Sequence, residues 1–80
     1  MEFVIVEFEE DRGVLIDGTP SGNTNQTLMV EEGHHEFSLE PPMDYTPESQ
    51  EILVQNTLPD DPERIVFERA GNGSGGGGND

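Results

Sequence analysis

The side chains here that could do chemistry are mostly carboxylates. Eighteen Asp and Glu residues stand against three arginines (Arg12, Arg64, Arg69) and two histidines, and there is neither cysteine nor lysine. The histidines are adjacent, His34-His35, inside a run that alternates apolar and polar residues. Neighbours on a strand point to opposite faces, so the two imidazoles cannot chelate one ion side by side. His35 shares a face with Phe37 and Leu39 and reads as a structural imidazole satisfied by hydrogen bonds, with a ligand or proton-switch role as the alternative. Glu9, Glu10, Asp11 and Asp17 could converge at one end of the fold, and hard oxygen donors of this kind suit calcium. The spacing of an EF-hand loop is absent, so no metal site and no cofactor is expected.

Catalytic chemistry finds less to work with. There is no thiol, no amine nucleophile, and no serine set in a G-x-S-x-G turn beside a histidine. Paired carboxylates abound through composition alone, and glycosidase chemistry also needs a cleft that a thin fold hardly provides. The glycine-rich stretch near the C-terminus lacks the Lys-Ser/Thr and following helix of a phosphate loop. The chain is expected not to be an enzyme.

The elements that must position these groups are short strands. Gly13-Val14-Leu15-Ile16-Asp17-Gly18 is an apolar alternation ending in Asp-Gly, the signature of a tight turn between antiparallel strands. Phe3 to Phe8 forms a first strand, with Val4, Val6 and Phe8 on one face. Phe3 and Ile5 make the start of its other face apolar too, which predicts an edge strand covered by a partner chain. Residues 18–25 read as a polar loop, Gln26–Val30 as the third strand and His34–Leu39 as the fourth. Pro41-Pro42 stops the fourth strand because neither proline can donate to a ladder. Met43–Pro47 reads as a turn with an aromatic anchor, Glu51–Gln55 as a fifth strand, and Arg64–Glu68 as a last strand with Ile65 and Phe67 inward. The expected fold is all-β: a small antiparallel β-sandwich of about six strands over residues 1–69, with a flexible Gly-rich tail over 70–80.

Composition bounds the rest. Only 30% of the 80 residues are hydrophobic, enough for one thin core in one domain. The formal net charge of −15 repels nucleic acid and anionic membranes, so neither is an expected partner. No apolar stretch approaches the roughly 18 residues that span a bilayer. As written, the sequence carries no signal peptide and is expected to be cytoplasmic.

With the strands laid out, the pattern resembles the PEGA domain, a small β-sandwich module of bacterial and archaeal proteins. The resemblance covers residues 10–69 and rests on Val14-x-Ile16-Asp17-Gly18, Gly22-x-Thr24, Leu28, Gly33-x-His35-x-Phe37-x-Leu39 and Tyr45-x-Pro47. It departs at Glu9-Glu10-Asp11-Arg12, where only the glutamate of the family's naming motif stands, at Thr24-Asn25 in place of Thr-Pro, and at Asp44-Tyr45 in place of Gly-Tyr. It implies a sandwich in which Tyr45 lays its ring on one end and its hydroxyl finds a partner. It implies an adhesion, surface or scaffolding role without a catalytic site.

Two functional expectations follow. One is a non-catalytic interaction or scaffolding module that binds a protein, or a second copy through its edge strand, with Phe3, Ile5, Glu9, Glu10, Asp11 and Tyr45 as candidate interaction residues. The other is an acidic inhibitor or nucleic-acid mimic that occupies the basic groove of a target enzyme. Carbohydrate or cell-surface binding ranks behind both, because Tyr45 is the one strong aromatic platform and tryptophan is absent.

Overall fold

The longer strands form where branched and aromatic residues alternate with polar ones, and each buries one face of that alternation. The computed structural model describes residues 1–70. The chain runs through β1 (Glu2–Glu7), β2 (Gly13–Ile16), β3 (Thr19–Asn23), β4 (Thr27–Val30), β5 (Gly33–Leu39), β6 (Tyr45–Thr46), β7 (Gln50–Val54), β8 (Glu63–Val66) and β9 (Glu68–Arg69). No helix interrupts them. Val4 and Val6 of β1, Val14 and Ile16 of β2, Phe37 and Leu39 of β5, Val54 of β7 and Ile65 of β8 all turn inward. Phe8, Val30, Tyr45 and Phe67 complete the core.

The strands form a three-stranded sheet in the order β4-β1-β8, a four-stranded sheet in the order β3-β2-β5-β7, and the small pair β6-β9. The two larger sheets share the core as a sandwich. Asp17 and Gly18, with φ of 54° and 81°, form the two-residue turn that Asp-Gly predicts, and Ile16 pairs directly with Thr19 beyond it. Positive φ at both central residues gives the turn the twist that antiparallel strands need.

Three expectations are corrected here. Residues 18–25 are not simply a loop. Thr19–Asn23 continues from the turn as β3, fully exposed along the edge of its sheet. It carries no apolar residue, so periodicity gives no signal, and its edge position tolerates Pro20. The sandwich is also not purely antiparallel, because β8 runs parallel to β1, with Glu63 beside Val4 and Val66 beside Glu7. The long chain between them serves as the crossover that a parallel pair requires. Most consequentially, β1 is not an edge strand. It lies between β4 and β8, and both of its backbone edges are engaged, so no partner strand can add at Phe3 and Ile5.

The turn expected at Met43–Pro47 contains β6, whose Tyr45 pairs with Arg69 and Thr46 with Glu68. The amide of Ala70 donates to the carbonyl of Asp44 at 2.9 Å, which holds the end of the described chain against β6. The Gly-rich tail beyond it, residues 71–80, lies outside the described residues.

Candidate interaction surface

The charged turn after β1 is built by its neighbours. Thr24 is buried, and its hydroxyl donates to the carbonyl of Glu10 at 2.9 Å and accepts from the amide of Arg12 at 2.9 Å. That clamp aims the Arg12 guanidinium across the end of the sandwich. There it donates to the carbonyls of Glu40 (3.2 Å) and Pro42 (3.0 Å), to Asp44 Oδ1 (3.0 Å), and to Glu10. Arg69 donates to Glu9 at 2.7 Å, to Glu10 at 2.8 Å, and to Asp44. The two guanidinium carbons lie 5.3 and 5.4 Å from the centre of the buried Phe8 ring, so both arginines cover an aromatic face as well as pairing with carboxylates. The hydrogen bond from Arg12 holds Asp44 below the ordinary carboxylate range, and Arg12 and then Arg69 do the same for Glu10. Their carboxylate partners push both guanidinium groups further up.

This network shows where Glu9, Glu10 and Tyr45 stand. Glu9 and Glu10 are paired within the chain, while Asp11 is exposed and holds no arginine. Asp17 does not join them. It follows the far end of β2, and four intervening strand residues at ~3.3 Å each keep it roughly 13 Å from Asp11's end. Tyr45 is 4% exposed, with its ring edge-on to Phe8 and Phe67 at centroid distances of 6.3 and 5.5 Å. A buried ring cannot serve as a contact residue or a sugar platform. Its hydroxyl donates to the Leu39 carbonyl at 2.7 Å and accepts from the Leu39 amide at 3.3 Å.

His35 occupies a second clamp. Its Nδ1 lies 2.7 Å from Asp17 Oδ2 and its Nε2 lies 2.7 Å from the Glu31 carbonyl. Both partners only accept, so both bonds exist together only when the ring is protonated. Bonding to Asp17 accordingly raises the His35 pKa, while the amide of Glu36, bonded to Asp17 Oδ1 at 2.9 Å, lowers that of Asp17 ahead of the contribution from His35. The imidazole ties the β2–β3 turn to the β4–β5 turn. His34 points the other way and stands opposite Leu53 on β7.

The outer faces of the two sheets differ. On the four-stranded sheet, Glu36 stands opposite Glu51, His34 opposite Leu53 and Ser38 opposite Leu15. On the three-stranded sheet, Met29 stands opposite Phe3, Ile5 lies between Thr27 and Arg64, and Glu7 pairs with Val66. Met29 and Val66 are 65% and 49% exposed, and Phe3 and Ile5 are half-buried between them. Phe3 and Ile5 therefore contribute to a strip of apolar side chains across a sheet face, where the sequence had placed them on an edge. Met29 and Val66 were missed. Each sits between two inward residues and so points outward by alternation, but only the pairing with β1 sets Met29 opposite Phe3 and Val66 opposite Glu7, on the face that Ile5 shares.

No family model matches this chain, and no curated protein or solved structure matches it either.

Proposed function

We propose that this chain is a non-catalytic, PEGA-like β-sandwich module that binds a protein partner across the outer face of its three-stranded sheet. One observation carries the reading. Met29 stands opposite Phe3, Ile5 follows Phe3 on the same face of β1, and Val66 stands opposite Glu7 on that face, with Met29 and Val66 exposed. Apolar side chains grouped on one face gain free energy when a partner removes them from water, at about 25 cal/mol per Å². The PEGA likeness is supported by the Asp17-Gly18 turn, the bonded His35 and the buried Tyr45, each doing structural work at a position the resemblance rests on.

The test compares wild-type protein with a Phe3→Thr/Met29→Thr double variant, which keeps strand-forming residues while making the face polar. Capture is followed by cross-linking and peptide mapping. A partner bound by wild type, cross-linked near β1 or β4 and lost by the variant supports the reading. A partner held equally well by both refutes it.

The acidic inhibitor or mimic remains a second reading, favoured by the pairing of the arginines. Arg12, Arg64 and Arg69 all bond carboxylates of the chain itself, and Asp11, Glu31, Glu32, Glu51, Asp60 and Asp61 have no arginine partner. On that reading binding weakens steeply with salt and ignores the double variant.

A further inference from the structure

We infer that the apolar face is built for a cationic protein segment and not for a second copy of this chain. The inference rests on the docking face described above and adds the chemistry of its occupant.

The apolar side chains share their face with the Glu7–Arg64 ion pair, and acidic residues follow just beyond the strands that carry Met29 and Val66. Glu31 follows Met29 by two residues and Glu68 follows Val66 by two, and both are exposed. Glu31 lies just past the end of β4, and Glu68 lies past the end of β8 in the β6-β9 pair, opposite Thr46. Arg64 is the one cation on the face, and it is bonded to Glu7. The other two arginines are held over Phe8 by Glu9, Glu10 and Asp44. Each arginine thus already bonds a carboxylate of its own chain and would have to share or give up that bond to meet one on another molecule.

A second copy would bring an identical apolar strip, but also a second net charge of −15, with no lysine and with its three arginines already paired to its own carboxylates. Two such chains repel at the distances a face-to-face dimer demands. A strand or loop of another protein that alternates lysine or arginine with aliphatic residues meets both features together. Its apolar residues cover Phe3, Ile5, Met29 and Val66, and its cations reach Glu31 and Glu68. Charge complementarity therefore selects the partner, and the apolar strip fixes where it sits.

The full chain is titrated with three short peptides, one alternating lysine with valine, one glutamine with valine, and one lysine with glycine. Binding is followed by fluorescence anisotropy and mapped by amide chemical shifts, at about 50 mM and about 500 mM salt. Sedimentation of the free chain accompanies each series. The lysine–valine peptide is expected to bind about tenfold more tightly than the glutamine–valine peptide at low salt, with the gap closing at high salt. Glu31→Gln/Glu68→Gln should narrow that gap, and Phe3→Thr/Met29→Thr should weaken both valine peptides. Met29→Thr alone, a milder change, guards against a folding defect.

Equal binding of the lysine–valine and glutamine–valine peptides overturns the cationic occupant while leaving the face intact. A wild-type dimer that Phe3→Thr/Met29→Thr converts to monomer does the same. Equal binding of lysine–glycine and lysine–valine, unmoved by the face variants, overturns both the occupant and the face and leaves the acidic mimic. Failure of all three peptides to bind a monomeric chain also overturns the inference.

Discussion

Replacing Tyr45 with phenylalanine isolates a single hydroxyl whose role the strand register explains. The amide of Asp17 bonds the Glu36 carbonyl and the amide of Glu40 bonds the Gly13 carbonyl, so the even-numbered residues of this stretch turn their backbone groups toward β2. The odd-numbered ones turn toward β7. His35 and Phe37 find Ile52 and Gln50 there, but β7 begins at Gln50 and offers nothing opposite Leu39. The Tyr45 hydroxyl fills that gap, donating to the Leu39 carbonyl and accepting from its amide. It stands in for the missing stretch of strand.

In Tyr45→Phe the ring keeps its edge-on contacts with Phe8 and Phe67, so the change removes hydrogen bonding and little packing. Leu39 is 1% exposed, and water cannot readily replace the hydroxyl. An unsatisfied buried polar group costs about 1–3 kcal/mol. The 2.7 Å bond contributes most of that loss and the 3.3 Å bond less, which sets the expected destabilisation near 2 kcal/mol. For a domain of this size the Tm should fall by about 8–16 °C. Urea denaturation followed by circular dichroism measures the change, and an unaltered m-value would show that the native and unfolded states otherwise match. A loss below about 0.5 kcal/mol would refute the reasoning. Peptide binding at temperatures where the variant is folded should equal that of wild type, since the ring is a core element and not a contact residue.

The His35 clamp predicts a pH dependence with a definite sign. Because the folded pKa is raised, its stabilisation is complete below the ordinary imidazole value of 6.5 and is lost as pH rises through the folded value. Asp17 behaves oppositely, stabilising above its ordinary value of 3.8 and losing that effect as pH falls through a lower folded value. The Tm advantage of wild type over His35→Gln should shrink as pH rises above the ordinary imidazole value of 6.5, and an advantage that grows over that range would sink the assignment. Gly18→Ala meets nothing within 4 Å but must hold φ at +81°, so it should cost about 1 kcal/mol in denaturant titration; a neutral result would argue against the turn as described. Added salt should raise the Tm, because screening relieves repulsion among unpaired carboxylates more than it weakens the arginine network at one end of the sandwich. A Tm that stays flat or falls up to about 1 M salt would count against that balance.

What the sequence by itself determined was local. Alternation at period two set Val4 with Val6, Val14 with Ile16, Phe37 with Leu39 and Ile65 with Phe67 on shared faces, and all are buried. Asp17-Gly18 announced its turn because only a few residue types accept positive φ at both positions. The tertiary structure decided which strands are neighbours, and with that the character of the surface. Nothing in Phe3-Val4-Ile5 distinguishes a central strand from an edge strand, because the difference lies in β4 and β8, which arrive from distant parts of the chain. A backbone ladder needs no apolar side chain, so β3 could form from Thr-Pro-Ser-Gly-Asn, with Pro20 tolerated at the sheet edge, once the turn delivered it to β2. Whether a charge faces a partner or an internal counter-ion also depended on the fold. Glu9 and Glu10 looked like free surface charge until β6 and β9 brought Asp44 and Arg69 beside them, whereas Asp11 between them and Thr24 remained exposed. Periodicity along one chain is written in the sequence, but contact between separate stretches is set by how they pack together.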